Sequence, residues 1–187
     1  MSAHGLHISL FQSVADLPTH VALPVKTWNP PFCGNIDMRI KRDGTWFYNG
    51  TPILRTAMVQ LFSRILRKEG DAYFLVTPAE KIGITVEDVP FIAVEMSNTS
   101  GVLSFRTNVG DTVITGTDQP LYFQTDDDTF TPYVEVRDGL RARLNRALAR
   151  DLAILSEVRR HKEQDWFGIT TSGIFFPIMP VGSLLDP

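Results

Sequence analysis

The chain has 187 residues, of which 43% are hydrophobic and 21% charged, and its formal net charge is −3. This composition excludes a disordered chain and is typical of one globular domain or two small ones. A mildly acidic chain is not drawn to nucleic acid or to anionic membranes by its overall charge. The lone Cys33 excludes an intramolecular disulfide and favours a reducing compartment, so we expect a cytoplasmic protein.

The chain begins with a predicted N-terminal arm, residues 1–24, followed by a first unit at residues 25–90. Apolar residues alternate from Ile36 to Ile40, which is the period of a strand. Asp43-Gly44 predicts a hairpin turn, because glycine tolerates the positive φ that tight turns require. A return strand is expected to begin at Trp46.

The strongest helix signal in the sequence follows this hairpin. Thr51 is a good N-cap residue, and Pro52 suits the first helical position because its missing N–H is no loss there. Apolar side chains recur at helical spacing from Leu54 to Ile65, and Gly70 suits a C-terminal cap. We therefore predict a helix between Thr51 and Gly70, followed by a buried strand from Tyr73 to Val76.

A second unit, residues 91–187, is predicted to be richer in strands. Its first part alternates short apolar runs with turn residues, at Phe91 to Met96, Val102 to Thr107, Thr112 to Thr115 and Leu121 to Gln124. The pattern of the first unit then returns. A strand from Tyr133 precedes an Asp138-Gly139 turn, a return strand from Leu140 and a helix that Asn145 would cap.

The two Arg-Asp-Gly turns, at Arg42 and Arg137, are 95 positions apart. Together with the helix that follows each turn, they indicate a structural repeat, although two ordinary hairpin-helix units could resemble each other by chance. The fold class that we expect is α+β. Two related hairpin-helix-strand units would flank a β-rich middle, and the sheets would be largely antiparallel.

Several ordered motifs carry more specific information: Trp28-Asn-Pro-Pro-Phe-Cys-Gly34, Ile36-Asp-Met-Arg-Ile40, Arg42-Asp-Gly-Thr-Trp-Phe-Tyr48, Gly50-Thr-Pro-Ile53, Thr77-Pro-Ala-Glu-Lys81, Val86-Glu-Asp-Val-Pro-Phe91 and Pro132-Tyr-Val-Glu-Val-Arg137. Over about residues 25 to 178 the chain resembles the uncharacterised bacterial family DUF1285. The resemblance implies a bacterial protein of repeated α+β architecture with no established activity and a suspected role in signalling. It supplies no catalytic residues.

The first of these motifs is predicted to be a structural clasp. Pro30-Pro31 fixes an extended backbone, and Gly34 permits a tight turn. Trp28, Phe32 and Cys33 would be buried against the first hairpin, with Cys33 acting as a small hydrophobe. The alternative, a nucleophilic cysteine, would require a histidine within hydrogen-bond reach.

Charged residues flank the short segment from Ile82 to Val86. Glu80 and Lys81 precede this segment, and Glu87 and Asp88 follow it. Loops on a rigid scaffold often carry binding groups, so Lys81 is a candidate to bind an anion and the carboxylates are candidates to orient a hydroxyl or an amine. The alternative is a set of surface ion pairs, each worth under about 1 kcal/mol.

The later part of the second unit is basic. Between Arg137 and Lys162 the chain has seven Arg and one Lys against three acidic residues. One interpretation is a patch for an acidic ligand or partner, and the other is a solvated helix face. Nucleic acid is disfavoured because no aromatic residues are interleaved with the helix's basic ones. For a small anionic ligand, we predict that Arg137 completes a grip begun by Lys81.

No motif identifies a catalytic mechanism, a metal site or a cofactor. We therefore predict a binding or regulatory protein that takes a small ligand or a protein partner at a cleft between its two halves. The alternative is an enzyme with an unrecognised active site around Glu80, Lys81 and Asp88. The sequence leaves the ligand open, and it leaves the oligomeric state open, including a homo-oligomer.

Overall fold

The computed structural model describes residues 23–126 and 129–184, so nearly all of the predicted N-terminal arm lies outside the described residues. Strands hold 54% of the described residues and helices hold 15%. The expected α+β class is therefore wrong, because this is a mostly β protein. The chain forms two compact units, the first ending at Pro90 and the second beginning at Phe91.

The first unit is built on a six-stranded sheet and one α-helix among its described residues. Along the chain these elements are β1 (Phe32–Ile40), β2 (Trp46–Tyr48), β3 (Thr51–Pro52), α1 (Thr56–Arg64), β4 (Leu66–Glu69), β5 (Ala72–Val76) and β6 (Lys81–Val86). The order across the sheet is β3-β2-β1-β6-β5-β4. β1 and β6 are parallel, and all other neighbours are antiparallel.

The first unit's helix is shorter than predicted. Thr51 and Pro52 form the edge strand β3, and the helix begins at Thr56 without a side-chain cap. Its last predicted turn is instead β4, which pairs with β5, and Gly70 lies in the connecting turn at φ +57°. Leu54, expected on the buried helical face, precedes the helix and is 85% exposed. Pairing with a neighbouring strand outweighed helix propensity here.

The second unit contains a six-stranded sheet, a helix and a three-stranded sheet. Its elements are β7 (Phe91–Thr99), β8 (Val102–Thr107), β9 (Thr112–Ile114), β10 (Leu121–Asp126), β11 (Thr129–Arg137), β12 (Leu140–Leu144), α2 (Arg146–Ile154), β13 (Glu157–His161), β14 (Gln164–Thr171) and β15 (Ile174–Pro180). The larger sheet has the order β10-β11-β12-β7-β8-β9, and the smaller has the order β13-β14-β15. Of these pairs, β12 with β7 is parallel.

The two six-stranded sheets share one layout. In each, two antiparallel three-stranded groups are joined by a central parallel pair, so β3-β2-β1-β6-β5-β4 corresponds to β9-β8-β7-β12-β11-β10. The sheets are therefore mixed, and the expectation of largely antiparallel sheets fails at the centre of each.

The repeat that the sequence predicted groups the strands differently. Two strands, a helix and a further strand do follow one another as β11-β12-α2-β13, but in the first unit the edge strand β3 stands between β2 and the helix, giving β1-β2-β3-α1-β4. The sheet neighbours also differ, because β1 lies between β2 and β6 whereas β11 lies between β10 and β12. The predicted hairpin-helix-strand repeat is therefore wrong as a unit of sheet structure.

The two Asp-Gly turns also differ in geometry. Asp138 and Gly139 both have positive φ, at 53° and 78°, and close a two-residue turn between β11 and β12. In the first hairpin Gly44 has a φ of 82°, and the connection spans residues 41–45. There the Thr45 amide donates to Asp43 Oδ1 at 2.9 Å. The same dipeptide thus serves two turn types.

The small sheet of the second unit is tied to the edge of the larger one by buried hydroxyls. Thr171 Oγ1 accepts the Leu103 amide at 2.9 Å and lies 2.6 Å from Thr115 Oγ1. Ser172 Oγ donates to the Thr115 carbonyl at 2.6 Å. Thr115 and Thr171 are almost fully buried, so these bonds satisfy groups that water cannot reach.

Candidate functional site

Lys81 stands at the start of β6 and is engaged in an ion pair. Its Nζ lies 3.1 Å from Glu69 Oε2 and 5.0 Å from the centre of the Phe74 ring. Arg67 also pairs with Glu69. The hydrogen bond from Lys81, aided by the charge and hydrogen bond of Arg67, lowers the pKa of Glu69 below its ordinary value of 4.5.

Glu80 belongs to the turn that leads into β6. The Thr77 amide donates to the Glu80 carbonyl at 2.9 Å, and the Glu80 amide donates to Thr77 Oγ1 at 3.2 Å. Glu80 is only 6% exposed and Thr77 is fully buried. This predicted site residue therefore lies in a closed, hydrogen-bonded turn next to Lys81.

Glu87 and Asp88 lie at the other end of β6, beside the turn of the first hairpin. Glu87 Oε2 accepts the Arg42 amide at 3.1 Å, and Asp88 Oδ2 is 3.9 Å from Arg42 Nε. The six residues of β6, at roughly 3.3 Å per residue, separate the two predicted pairs by about 20 Å. The structure therefore does not bring Glu87 or Asp88 together with Glu80 and Lys81.

Arg137 lies in the second unit and pairs there with Asp111. Its Nη1 is 2.6 Å from Asp111 Oδ2, and its guanidinium lies 5.0 Å from the centre of the Phe91 ring. Lys81 and Arg137 therefore each have an acidic partner within their own unit. Their joint grip on one ligand stays a prediction.

The predicted clasp is wrong in its burial. Phe32 is 55% exposed and meets Phe74 edge-on, with 6.0 Å between ring centres. Trp28 and Cys33 are half-buried, and Cys33 Sγ lies 3.4 Å from the Pro31 carbonyl. Cys33 is therefore not the buried hydrophobe that the motif suggested.

Backbone carbonyls hold the clasp in place. Arg67 Nη1 donates to the carbonyls of Val25 and Trp28 at 3.2 and 2.7 Å, and the Lys81 amide donates to the Pro31 carbonyl at 3.1 Å. The segment before β1 is thereby bonded to β4 and β6. Pro30 is buried, and Gly34 has a φ of 97° that favours glycine.

A cleft that the sequence analysis did not identify lies where β11 begins, β12 ends and α2 starts. Its volume is about 450 Å³, and its lining residues are Phe130, Thr131, Pro132, Arg143, Leu144, Asn145, Arg146 and Ala149. Two of these residues are arginines, and none of these described lining residues is acidic. We call this feature the α2 cleft.

Local structure explains how the α2 cleft is formed. The Asn145 side chain accepts the Leu148 amide at 2.9 Å, so α2 begins at the cleft with the positive end of its dipole. Arg143 comes from β12 and Arg146 from the first helical position. Phe130 stacks on Phe123 with 5.7 Å between ring centres, which gives the cleft an aromatic wall.

Part of the α2 cleft could be predicted from the sequence. The basic stretch from Arg137 to Lys162 includes both lining arginines, and Asn145 was predicted as the helix cap. Spacing alone could not tell which arginines converge. Arg137, chosen from its place beside a turn, instead faces Asp111.

Within residues 23–126 and 129–184, no three His, Cys, Asp or Glu side chains come together as a metal site would require. None of the helices in this same part of the chain is both long enough and apolar enough to cross a membrane.

Family models match nearly the whole described chain. Residues 23–89 match the N-terminal domain of DUF1285, a domain of unknown function, and residues 90–178 match the C-terminal domain of the same family. The resemblance inferred from the motifs is thereby confirmed at the level of the family. No match was found among curated proteins.

Two solved structures resemble the chain. A DUF1285 family protein from Silicibacter pomeroyi DSS-3 is 47% identical with a TM-score of 0.83, and the match covers 95% of this chain and 98% of that one. A DUF1285 family protein from Shewanella baltica OS155 is 28% identical with a TM-score of 0.50, covering 61% of this chain and 87% of that one.

Proposed function

The chain belongs to the DUF1285 family, and we propose that it is a binding protein for a small organic anion. The α2 cleft carries this proposal. Its described lining combines Arg143 and Arg146 with no acidic side chain, next to the start of a capped helix. Two guanidinium groups beside the start of a helix suit a ligand of negative charge.

The chemistry of the lining narrows the ligand class. A guanidinium presents a planar fork of donors that matches carboxylate and phosphate oxygens. The start of α2 adds partial positive charge in the same place. Phe130, Pro132 and Leu144 supply apolar surface, so the ligand carries an apolar or aromatic part as well as its charge. A volume of about 450 Å³ falls within the usual range for small-molecule sites.

The residues that line the α2 cleft support a binding function rather than catalysis. Among the described lining residues there is no histidine, cysteine, lysine or carboxylate to act as a nucleophile or general base. A protein that binds without reacting fits a sensory or regulatory role, in line with the signalling role suspected for the family. A cytoplasmic location, proposed from the single unbridged Cys33, would give such a sensor access to metabolites.

The alternative of an enzyme around Glu80, Lys81 and Asp88 stays a prediction. It would need chemistry carried by one end of β6 alone, because Asp88 lies near the opposite end of that strand from Glu80 and Lys81. Lys81 would also have to leave Glu69, from which its Nζ is 3.1 Å away.

The test uses phenyl phosphate, benzoate and inorganic phosphate as probes in calorimetry and thermal shift. We expect phenyl phosphate to bind and to raise the melting temperature, since a ligand of the native state stabilises it. Arg143→Ala and Arg146→Ala should each weaken binding by about tenfold or more, the scale of a lost charged hydrogen bond. Benzoate binding in place of phenyl phosphate would assign a carboxylate ligand to the same cleft.

A matched control comes from the same helix. Arg150 is exposed, lies 3.7 Å from Asp151 and is outside the cleft lining, so Arg150→Ala should leave probe affinity unchanged. Equal affinities in the wild type, Arg143→Ala and Arg146→Ala would contradict the proposal. So would the absence of binding by all three probes.

A further inference from the structure

Three exposed apolar residues lie at the end of α2 and in the strand that follows it, at one edge of the small sheet. Ile154, Leu155 and Val158 are 75%, 41% and 52% exposed, and they fall within five consecutive positions of the chain. Val158 belongs to β13, the outer strand of the order β13-β14-β15. Because contiguous exposed apolar surface marks interaction sites, this stretch is a candidate for one.

β13 lacks two of the devices that usually protect a sheet edge. It contains no proline, and its register with β14 has no bulge along all five residues. Residues 157–160 are all exposed. An edge of this kind presents unpaired backbone N–H and C=O groups to another strand, and the remaining protection is the charge of its side chains.

We propose that β13 pairs antiparallel with β13 of a second copy of this chain, about a two-fold axis through Val158. The order Glu157-Val158-Arg159 is self-complementary about that axis. Val158 then faces its own copy, and each Glu157 faces Arg159 of the other copy. Within one strand these two charges already lie 2.8 Å apart, so four alternating charges would line one face of the paired strands while the two Val158 side chains meet on the other.

The order of charged residues along β13 favours this register, and it favours a second copy of the chain as the partner. An axis through Arg159 would set two arginines opposite each other, which is destabilising. An acidic peptide would satisfy Arg159 and Arg160 but would place a carboxylate opposite Glu157. A groove of about 190 Å³ beside the edge, lined by Leu155, Glu157 and Arg159 among others, gives room for side chains of the second copy.

Charge swaps at the proposed interface provide the first test, with oligomeric state followed by sedimentation over a wide concentration range. We expect wild-type dimers whose association is at least about tenfold weaker in Glu157→Arg and in Arg159→Glu, because each change sets like charges opposite each other twice. The double variant Glu157→Arg/Arg159→Glu should restore dimers. A monomer at every wild-type concentration, or dimers indifferent to these changes, would overturn the proposal.

Cross-linking is a second test, which leaves Glu157 and Arg159 unchanged. Glu157 also accepts a hydrogen bond from Thr170, so replacing Glu157 changes more than the proposed interface. In a Cys33→Ser background, Val158→Cys should form a disulfide-linked dimer on mild oxidation, since directly opposed Cα atoms of an antiparallel pair lie about 4.5–5.5 Å apart, within the range of disulfides. Arg160→Cys, which faces Ser156 in this register, should not. Equal cross-linking of the two variants would overturn the register, and a monomer whose β13 binds polyglutamate would assign an acidic peptide instead.

Discussion

Lys81 illustrates how the meaning of a single residue depends on its partners. Its ammonium group contacts Glu69 at 3.1 Å and lies over the Phe74 ring, and Arg67 approaches the same carboxylate. Lys81 and Arg67 therefore share one carboxylate, and the acidic partner of Lys81 belongs to the first unit. The sequence made Lys81 a candidate to bind an anion, and that role stays a prediction. Spacing along the chain could not reveal Glu69 as its partner, because the sheet brings the two residues together from β6 and β4, with β5 between them.

The Glu69 carboxylate gives a pH-dependent prediction at this scale. Its pKa is lowered in the folded state by Lys81 first and then by Arg67, so its contribution to stability is present above about 4.5 and is lost as pH falls through the folded value. Glu69→Gln should lower the free energy of unfolding at pH 7 by less than about 1 kcal/mol, because the side chain is 39% exposed.

Urea unfolding at pH 7 and at pH 3 measures this difference. The gap between wild type and Glu69→Gln should narrow at the lower pH, because protonation of the wild-type carboxylate removes its contribution as pH falls toward the lowered folded pKa. Asp71→Asn changes an exposed carboxylate in the same turn and serves as the control. A gap of constant size at both pH values would contradict the role of the ion pairs.

At the scale of elements, alternation bounded by turn residues predicted strands well. The predicted strands from Val102 to Thr107 and from Leu140 to Leu144 coincide with β8 and β12. β4 and β13 were missed because both are short and charged, with one apolar residue each, and because each follows a helix whose periodicity continued into it. Edge strands are often charged for protection, so their sequences resemble exposed helix faces.

The two predicted helix caps allow a direct comparison. Asn145→Ala should lower the free energy of unfolding by about 1 kcal/mol, because the Leu148 amide loses its side-chain acceptor. Thr51→Ala should cost much less, since Thr51 lies in β3 and caps no helix. Chemical denaturation of both variants measures the difference. A larger loss from Thr51→Ala would favour the longer helix predicted from the sequence.

Gly168 in β14 gives a prediction for the small sheet. A Cβ at this position would lie 2.6 Å from the Phe176 carbonyl oxygen and closer still to the Phe175 ring. Gly168→Ala should therefore destabilise the protein by about 1–3 kcal/mol, the scale of overpacking. Gly116→Ala meets no atom within 4 Å and is the control. Equal melting temperatures for the two variants would contradict the packing described for β14 and β15.

At the scale of the molecule, the repeat lies in sheet layout rather than in local sequence. The two Asp-Gly turns drew attention to an offset of 95 positions, yet the matching sheets begin at Phe32 and Phe91. Strands that correspond in the two sheets share neither their turns nor their charge patterns. Strand order depends on long-range pairing, which a local pattern does not encode.

The same limit applies to the α2 cleft, because a local sequence pattern does not show which side chains the fold brings together. Its two arginines belong to a basic stretch of seven arginines and one lysine that the sequence shows, and its helix cap was predicted at Asn145. The convergence of Arg143 from a strand with Arg146 from a helix, beside Phe130, required the fold. The residue types were therefore predictable, and their grouping was not.

The most direct test of anion binding is a titration of the ¹⁵N-labelled protein with phenyl phosphate, followed by two-dimensional NMR. We predict saturable shifts for the amide signals of four residues of the α2 cleft, Arg143, Asn145, Arg146 and Ala149. Arg146→Ala should reduce these shifts, and the amide signals around Lys81 should not change. Shifts centred on Lys81, or no saturable shift in the α2 cleft, would contradict the proposal.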